Sequence, residues 1–172
     1  MSLSRTVPVL ALSLVVAGAS ACTYKPRTAP TNTGTGTVNQ ARQYLQGNWS
    51  LLSFTIHDAN GTPIAMKGTG TLVYDDFNNM TMTLQADDAT AALLAKAGLP
   101  MEKNQFSTKG KTIVDMQNRT LRYVLEGQYV GVTTGPMAID RLRYWQVDGN
   151  TLTLTTNDDN GRPLSVGKWQ KQ

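Results

Sequence analysis

Metal and disulfide ligands are nearly absent from this chain of 172 residues, which has one cysteine and one histidine. A single cysteine forms no intramolecular disulfide, and a structural zinc site needs four ligands, mostly Cys and His. A chain of this length can bury a sizeable core without disulfides or bound metal. The sequence therefore predicts one folded domain that needs no disulfide, metal or cofactor.

Excess charge of one sign is also scarce in the part of the chain that is expected to fold. The whole sequence has 16 Lys and Arg against 12 Asp and Glu, a formal net charge of +4. From residue 41 onward there are 13 Lys and Arg against 12 Asp and Glu, and 13 − 12 leaves +1. A nucleic-acid-binding protein usually carries a basic face or stripe. The sequence therefore predicts no nucleic-acid partner.

Long apolar runs are confined to the start of the chain. Residues 7–17, VPVLALSLVVA, follow Arg5 and precede the small residues GASA. This is the layout of a secretory signal peptide, and the run is shorter than the ~20 residues of a membrane-spanning helix. We therefore assign residues 1–21 to a signal peptide that is excluded from the fold.

The one cysteine, Cys22, follows this segment directly. ASAC at 19–22 fits ordinary signal cleavage, and it also resembles the bacterial lipoprotein box, in which the new N-terminal cysteine carries acyl chains such as palmitate. Both interpretations cut the same bond, and they differ in whether Cys22 becomes a lipid anchor to the membrane or stays a free thiol. By resemblance, Thr23 after the cysteine implies sorting to the outer membrane, facing the periplasm.

Residues 22–40 contain almost no large apolar side chain. They are rich in Thr, Pro and Gly, so they cannot bury enough surface to fold. We expect a flexible tether with a reach of roughly 20–25 Å. The folded domain is then expected over residues 41–172.

From Gly47 onward, apolar and polar residues alternate over short segments separated by turn residues. NNMTMTLQ at 78–85 is typical, because its two methionines and its leucine share one face. We place a turn at Gly110, between NQFSTK and KTIVDM. The pattern predicts an all-β antiparallel barrel of about eight to ten strands, since closure removes exposed strand edges.

DDATAALLAKAGLP at 87–100 breaks this alternation. Asp87 or Asp88 can cap a helix, Ala and Leu favour its interior, and Gly98 suits the residue past its end. The segment therefore predicts one short α-helix within the series of strands.

GNWSLLSF at 47–54 resembles the first strand of the lipocalin superfamily, and more closely that of the bacterial lipocalin-like domain family. The resemblance continues through GTLVYD at 70–75, EGQY at 126–129, RYWQVDGNTLTL at 143–154 and Trp169. It implies a lipocalin-like barrel over nearly all of residues 45–171, with Lys168 or Lys171 packed on Trp49. Many members of that family have no defined activity, so the resemblance implies a fold and little chemistry.

The inward positions of the strands define the expected interior. Trp49 is expected to plug the floor of the barrel. The alternation places ten further side chains inside: Tyr74, Met80, Met82, Leu84, Tyr123, Leu125, Tyr129, Tyr144, Leu152 and Leu154. An eight-stranded barrel is just wide enough to be filled by side chains or to hold one small ligand, and buried tyrosine hydroxyls need partners. We therefore predict a ligand pocket lined by Trp49, Tyr74, Met82, Tyr123, Tyr129 and Tyr144.

The sequence contains no evident catalytic constellation. His57 is the only histidine, and no Gly-x-Ser-x-Gly elbow supplies a hydrolase nucleophile. The sequence therefore predicts a non-enzymatic envelope lipoprotein that binds a small, mostly apolar ligand. Two alternatives stay open. One is a filled barrel with a structural role or a protein partner in the envelope, and the other is an isomerase or hydrolase that uses His57 or an acidic residue.

Overall fold

The computed structural model describes residues 43–126, 135, 136, 138 and 141–172. The signal peptide, Cys22, the tether and Tyr129 lie outside these residues. The strands are β1 Gly47–His57, β2 Pro63–Ala65, β3 Gly68–Tyr74, β4 Asn79–Ala86, β5 Gln105–Asp115, β6 Thr120–Leu125, β7 Arg143–Asp148, β8 Thr151–Asn157 and β9 Pro163–Lys171. One helix, α1 Asp88–Lys96, connects β4 to β5.

Eight of these strands form a closed antiparallel barrel. Their hydrogen-bonded order is β1-β3-β4-β5-β6-β7-β8-β9, and pairing between β9 and β1 closes the ring. The short strand β2 is additional and pairs with the last residues of β1. Because the ring is closed, each of the eight barrel strands pairs with a neighbouring strand on both sides. The prediction of an all-β barrel of eight to ten strands is confirmed, and the predicted short helix is α1; residues 43–45 are also helical.

A β-bulge in β1 changes which of its residues face the interior. The pairing with β9 shifts by one residue between Leu51 and Ser53, so Leu52 is the extra residue. Before the bulge Trp49 is buried, and after it Phe54 is buried, so the inward parity changes from odd to even. The bulge thus lets β1 keep apolar side chains inside along its whole length while it bends.

Gly110 lies in the middle of β5, so the predicted turn at this position was wrong. Residues Gln105–Asp115 form one strand of 11 residues. A Cβ at position 110 would lie 2.2 Å from the carbonyl oxygen of Val124 and 2.8 Å from the Cα of Leu125. The glycine is present because the backbone of β6 passes too close for a side chain.

Helix α1 begins and ends as the sequence predicts. The Asp87 carboxylate accepts a hydrogen bond from the Thr90 backbone N–H at 2.7 Å. Gly98, just past the helix, has a φ of 91°, which a glycine adopts without strain. Leu94 and Leu99 are fully buried and join the barrel core. The helix and the residues just after it therefore add Leu94 and Leu99 to the core of the barrel.

Trp49 and Lys171 pack together where β1 meets β9. The indole Nε1 of Trp49 donates to the Leu45 carbonyl oxygen at 2.7 Å. The Lys171 Nζ lies 5.2 Å from the centre of the Trp49 ring, and burial lowers the pKa of this lysine. Lys171 is therefore the basic residue that the resemblance placed on Trp49.

Candidate functional site

Four of the predicted site residues are buried in the barrel. Trp49, Tyr74, Met82 and Tyr123 are each at most 5% exposed. Their inward orientation is confirmed, whereas their contact with a ligand stays a prediction. Tyr129 lies outside the described residues.

Tyr144 does not face the interior, which corrects the prediction for β7. Its side chain is 46% exposed and borders an open groove of about 270 Å³ on the outer face. Trp145 faces the interior instead, because it pairs with the inward-facing Leu154 across the β7–β8 hairpin. Directly opposite residues of an antiparallel pair lie on the same face of the sheet.

Arg143, at the start of β7, occupies an interior position that the sequence analysis did not identify. It is 3% exposed. Its Nη1 donates to the Arg141 carbonyl oxygen at 2.9 Å, and its Nη2 donates to the Pro136 carbonyl oxygen at 2.8 Å. Its guanidinium carbon lies 4.2 Å from the centre of the Tyr123 ring. Among the ion pairs of the described residues, none involves Arg143.

A pair of tyrosines extends from this guanidinium across the interior. The hydroxyl oxygens of Tyr74 and Tyr123 are 2.6 Å apart, so one phenol donates to the other. Burial raises the pKa of Tyr74 well above its usual value, and burial also raises the pKa of Tyr123. Both phenols are therefore neutral at physiological pH and act as hydrogen-bonding groups.

Burial lowers the pKa of Arg143, and the adjacent Tyr123 and Tyr74 oppose this change. A guanidinium titrates so far above neutrality that Arg143 keeps its proton in the folded protein. A buried cation costs several kcal/mol unless it is paired or fully hydrogen-bonded. The ring of Tyr123 and two carbonyl oxygens offset part of that cost.

Arg143 borders a pocket at one end of the barrel interior. Its wall is mainly apolar and includes Phe54, Met82 and Leu154, and its polar lining includes Arg143, Ser165 and Trp169. The enclosed volume is about 20 Å³, enough for one water molecule. Of the predicted ligand-binding residues in the described chain, Met82 and Tyr123 line this pocket.

Trp49 and Tyr74 therefore lie elsewhere in the barrel. Trp49 contacts Leu45 and Lys171, and Tyr74 borders a second void of about 10 Å³ together with Leu45 and Thr112. The tyrosine pair thus connects two small voids in the interior.

Trp169 lines the first pocket and has a buried hydrogen-bond donor. Its ring is 1% exposed, and its Nε1 has no hydrogen-bond partner among the described residues. Gly167 lies against this indole, because a Cβ at position 167 would be 2.8 Å from the Nε1. An indole N–H only donates, so this group can be satisfied only by an acceptor.

The described residues offer this site hydrogen-bonding chemistry rather than metal chemistry. They contain no group of three or more His, Cys, Asp or Glu side chains placed to hold a metal ion. His57 is the last residue of β1, opposite Pro63, and does not line the pocket. In the same ranges, no helix has both the length and the hydrophobicity that crossing a membrane requires.

Comparison with known proteins leaves the family open. No protein-family model matches the chain, and no curated protein is significantly similar to it. The solved structure of a DUF4847 family protein from Bacteroides vulgatus is similar over 74% of this chain and 95% of that chain. The identity is 12% and the TM-score is 0.39, so nothing about function transfers from that protein to this one.

Proposed function

We propose that the protein is an envelope lipoprotein whose barrel binds a small, mostly apolar molecule in the pocket beside Arg143. The support is an apolar pocket into which a few polar groups converge, which is the usual composition of a small-molecule site. Arg143 and Trp169 supply those groups, and Phe54, Met82 and Leu154 supply the apolar wall.

The observation that carries this proposal is the buried guanidinium of Arg143. Replacing buried ionic groups by apolar side chains of similar volume is often neutral or stabilising. A barrel that needed only a stable core would therefore gain nothing from a cation at this position. A perturbed, buried charge beside a pocket is instead typical of a binding site.

The small volume of the pocket has a direct consequence for binding. A space of about 20 Å³ holds one water, so a ligand must displace side chains as it enters. Met82 lies in the wall, and its unbranched side chain adapts easily to a new shape. Binding should therefore involve local repacking of the pocket wall.

A dye titration tests this function. N-phenyl-1-naphthylamine, a neutral apolar dye, is added to the purified full chain, and its fluorescence should rise to saturation. Ser165 lines the pocket, so Ser165→Leu fills it and should weaken dye binding at least tenfold. Ser107 is exposed on β5, and the matched control Ser107→Leu should leave binding unchanged.

Thermal unfolding of both variants confirms that each is folded before it is titrated. Absence of saturable binding to the wild-type protein contradicts the proposal. Equal affinities of the two leucine variants place the dye outside this pocket and also contradict it.

A second candidate function is a filled barrel with a structural role or a protein partner in the envelope. The observation in its favour is the same volume of about 20 Å³, because a barrel packed this tightly needs no ligand. It predicts that the wild-type chain shows no saturable dye binding and that native mass spectrometry of the purified protein finds no retained small molecule.

The membrane part of the proposal depends on Cys22 and the segment after it. The apolar run at 7–17, the small residues before Cys22 and the Thr, Pro and Gly of residues 23–40 support an acylated cysteine followed by a flexible tether. Thr23 favours the outer membrane, by resemblance to bacterial lipoproteins. The barrel would then act in the periplasm, within reach of the membrane surface.

A further inference from the structure

We infer that the ligand of this pocket carries a carboxylate head group, which accepts hydrogen bonds from the Arg143 guanidinium and the Trp169 indole. This inference rests on the proposed function, because it names the chemistry of the molecule that would occupy the same site. The ligand would then be an amphiphile with one small anionic end and an apolar remainder.

The first reason is the unused capacity of Arg143. A guanidinium has five N–H donors, and the contacts to Arg141 and Pro136 use two of them. Both partners are neutral carbonyl oxygens, so within the described residues the positive charge has no ion pair. A carboxylate supplies the missing negative charge and fits the planar fork of a guanidinium.

The second reason is independent, because it comes from another strand and another chemical group. The Trp169 Nε1 is buried without a partner among the described residues. Leaving a buried donor unsatisfied costs free energy, which an acceptor in the pocket would recover. A hydrocarbon ligand offers no acceptor and would leave both the indole and the guanidinium as they are.

The composition of the pocket narrows the head group further. A cationic head would be repelled by Arg143, and a head that only donates hydrogen bonds has no use for two donors. The hydroxyls of Thr156 and Ser165 also line the pocket and can donate to an anion. Among anions, a carboxylate is smaller than a phosphate, so it requires less displacement of the pocket wall.

A matched pair of ligands tests this inference. Decanoate and 1-decanol have the same chain length and differ in the charge of the head group. Each is used to displace N-phenyl-1-naphthylamine from the full chain at pH 7. We expect decanoate to bind at least tenfold more tightly than 1-decanol, since hydrogen bonds to charged groups are the stronger class.

Three variants identify the groups responsible. Arg143→Met should reduce the preference for decanoate to less than about threefold, and Trp169→Phe should reduce it several-fold. Arg122→Met removes the same charge from the outer face of β6 and should keep the full preference. If Arg143→Met does not fold, Arg143→Lys retains the cation without the planar fork and should give an intermediate preference.

The outcomes separate this inference from the proposed function. Equal affinities of decanoate and 1-decanol overturn the carboxylate while the pocket stands. A preference that survives in both Arg143→Met and Trp169→Phe also overturns the inference. If dye, decanoate and 1-decanol all fail to bind, the proposed function falls and the inference falls with it.

Discussion

Two buried phenols share one hydrogen bond in the barrel interior, and each depends on the other for it. Tyr74→Phe removes one hydroxyl and leaves that of Tyr123 without this partner. An unsatisfied buried polar group costs about 1–3 kcal/mol, so we expect the free energy of unfolding to fall by about 1–2 kcal/mol. Urea unfolding at pH 7 measures the change. Tyr144→Phe, on the exposed face, should stay within about 0.5 kcal/mol of wild type.

The same pair predicts how stability responds to alkaline pH. Burial raises the pKa of Tyr74 above its usual value near 10, so the folded protein keeps a proton that the unfolded chain releases. Stability is therefore fully present below pH ~10 and falls as the pH rises towards the folded pKa. Urea midpoints measured from pH 8 to 11 should decline more steeply for wild type than for Tyr74→Phe. Parallel declines would contradict a buried titrating phenol at this position.

Gly110 is required by space rather than by backbone conformation. In Gly110→Ala the new methyl group would lie 2.2 Å from the Val124 carbonyl oxygen, so β5 and β6 must separate. Overpacking of this kind costs about 1–3 kcal/mol, and rigid backbone places this case at the upper end. Thermal unfolding should show the loss. Lys109→Ala, at the exposed neighbouring position, serves as the control and should have little effect.

Sequence alternation predicted the inward residues of β4 and β6 correctly. Met82 on β4 lies between two threonines, and Tyr123 on β6 is in phase with the buried Leu121 and Leu125. On β7 the interior position is taken by Arg143, and a charged residue at an inward position gave the alternation the wrong parity. The signal that could have corrected it is the tight β7–β8 turn, which sets Trp145 opposite Leu154.

At the scale of elements, β1 combines two strand halves of opposite parity. The bulge at Leu52 is what allows Trp49 and Phe54 both to be buried. Deleting Leu52 removes the extra residue, and Leu51, Ser53 and Phe54 would then alternate regularly in the same register with β9. We expect the shortened protein to unfold cooperatively, with a midpoint lowered by the loss of the local bend.

A substitution that keeps the residue count separates the effect of the bulge from that of the Leu52 side chain. Leu52 is 57% exposed, so Leu52→Thr retains the bulge and loses little packing. Its free energy of unfolding should stay within about 0.5 kcal/mol of wild type in a urea titration. A deletion that abolishes cooperative unfolding would show instead that the fold requires the bulge.

The elements were predictable from sequence to different degrees, for physical reasons. Helix α1 carries its own start and stop signals in Asp87 and Gly98, which act locally and are visible in the sequence. The bulge and the unbroken course of β5 depend on neighbouring strands. A glycine that marks a close approach between strands has the same sequence signature as a glycine in a turn. The local sequence therefore could not predict the bulge in β1 or the unbroken strand β5, because both depend on contacts with neighbouring strands.

At the scale of the whole molecule, the closure of the barrel and the proposed anchor at Cys22 belong to separate segments. The barrel closes through β1 and β9, and the end of β9 places Lys171 on Trp49. Cys22 precedes the described residues, which begin at position 43. Changes at Cys22 should accordingly alter where the protein resides without altering its unfolding, which makes the anchor testable in a folded protein.

Cys22→Ser provides that test. An acylated cysteine is held in a bilayer because each buried methylene of its acyl chains contributes roughly 0.8 kcal/mol. Serine has no thiol, so it cannot form the thioether that carries the lipid. In a bacterial host, wild type should sediment with membranes and Cys22→Ser should appear in the soluble periplasmic fraction. Thr23→Asp, the control, should keep the lipid and move to the inner membrane, by resemblance to lipoprotein sorting. Membrane retention of Cys22→Ser would instead mean that another segment of the chain holds the protein there.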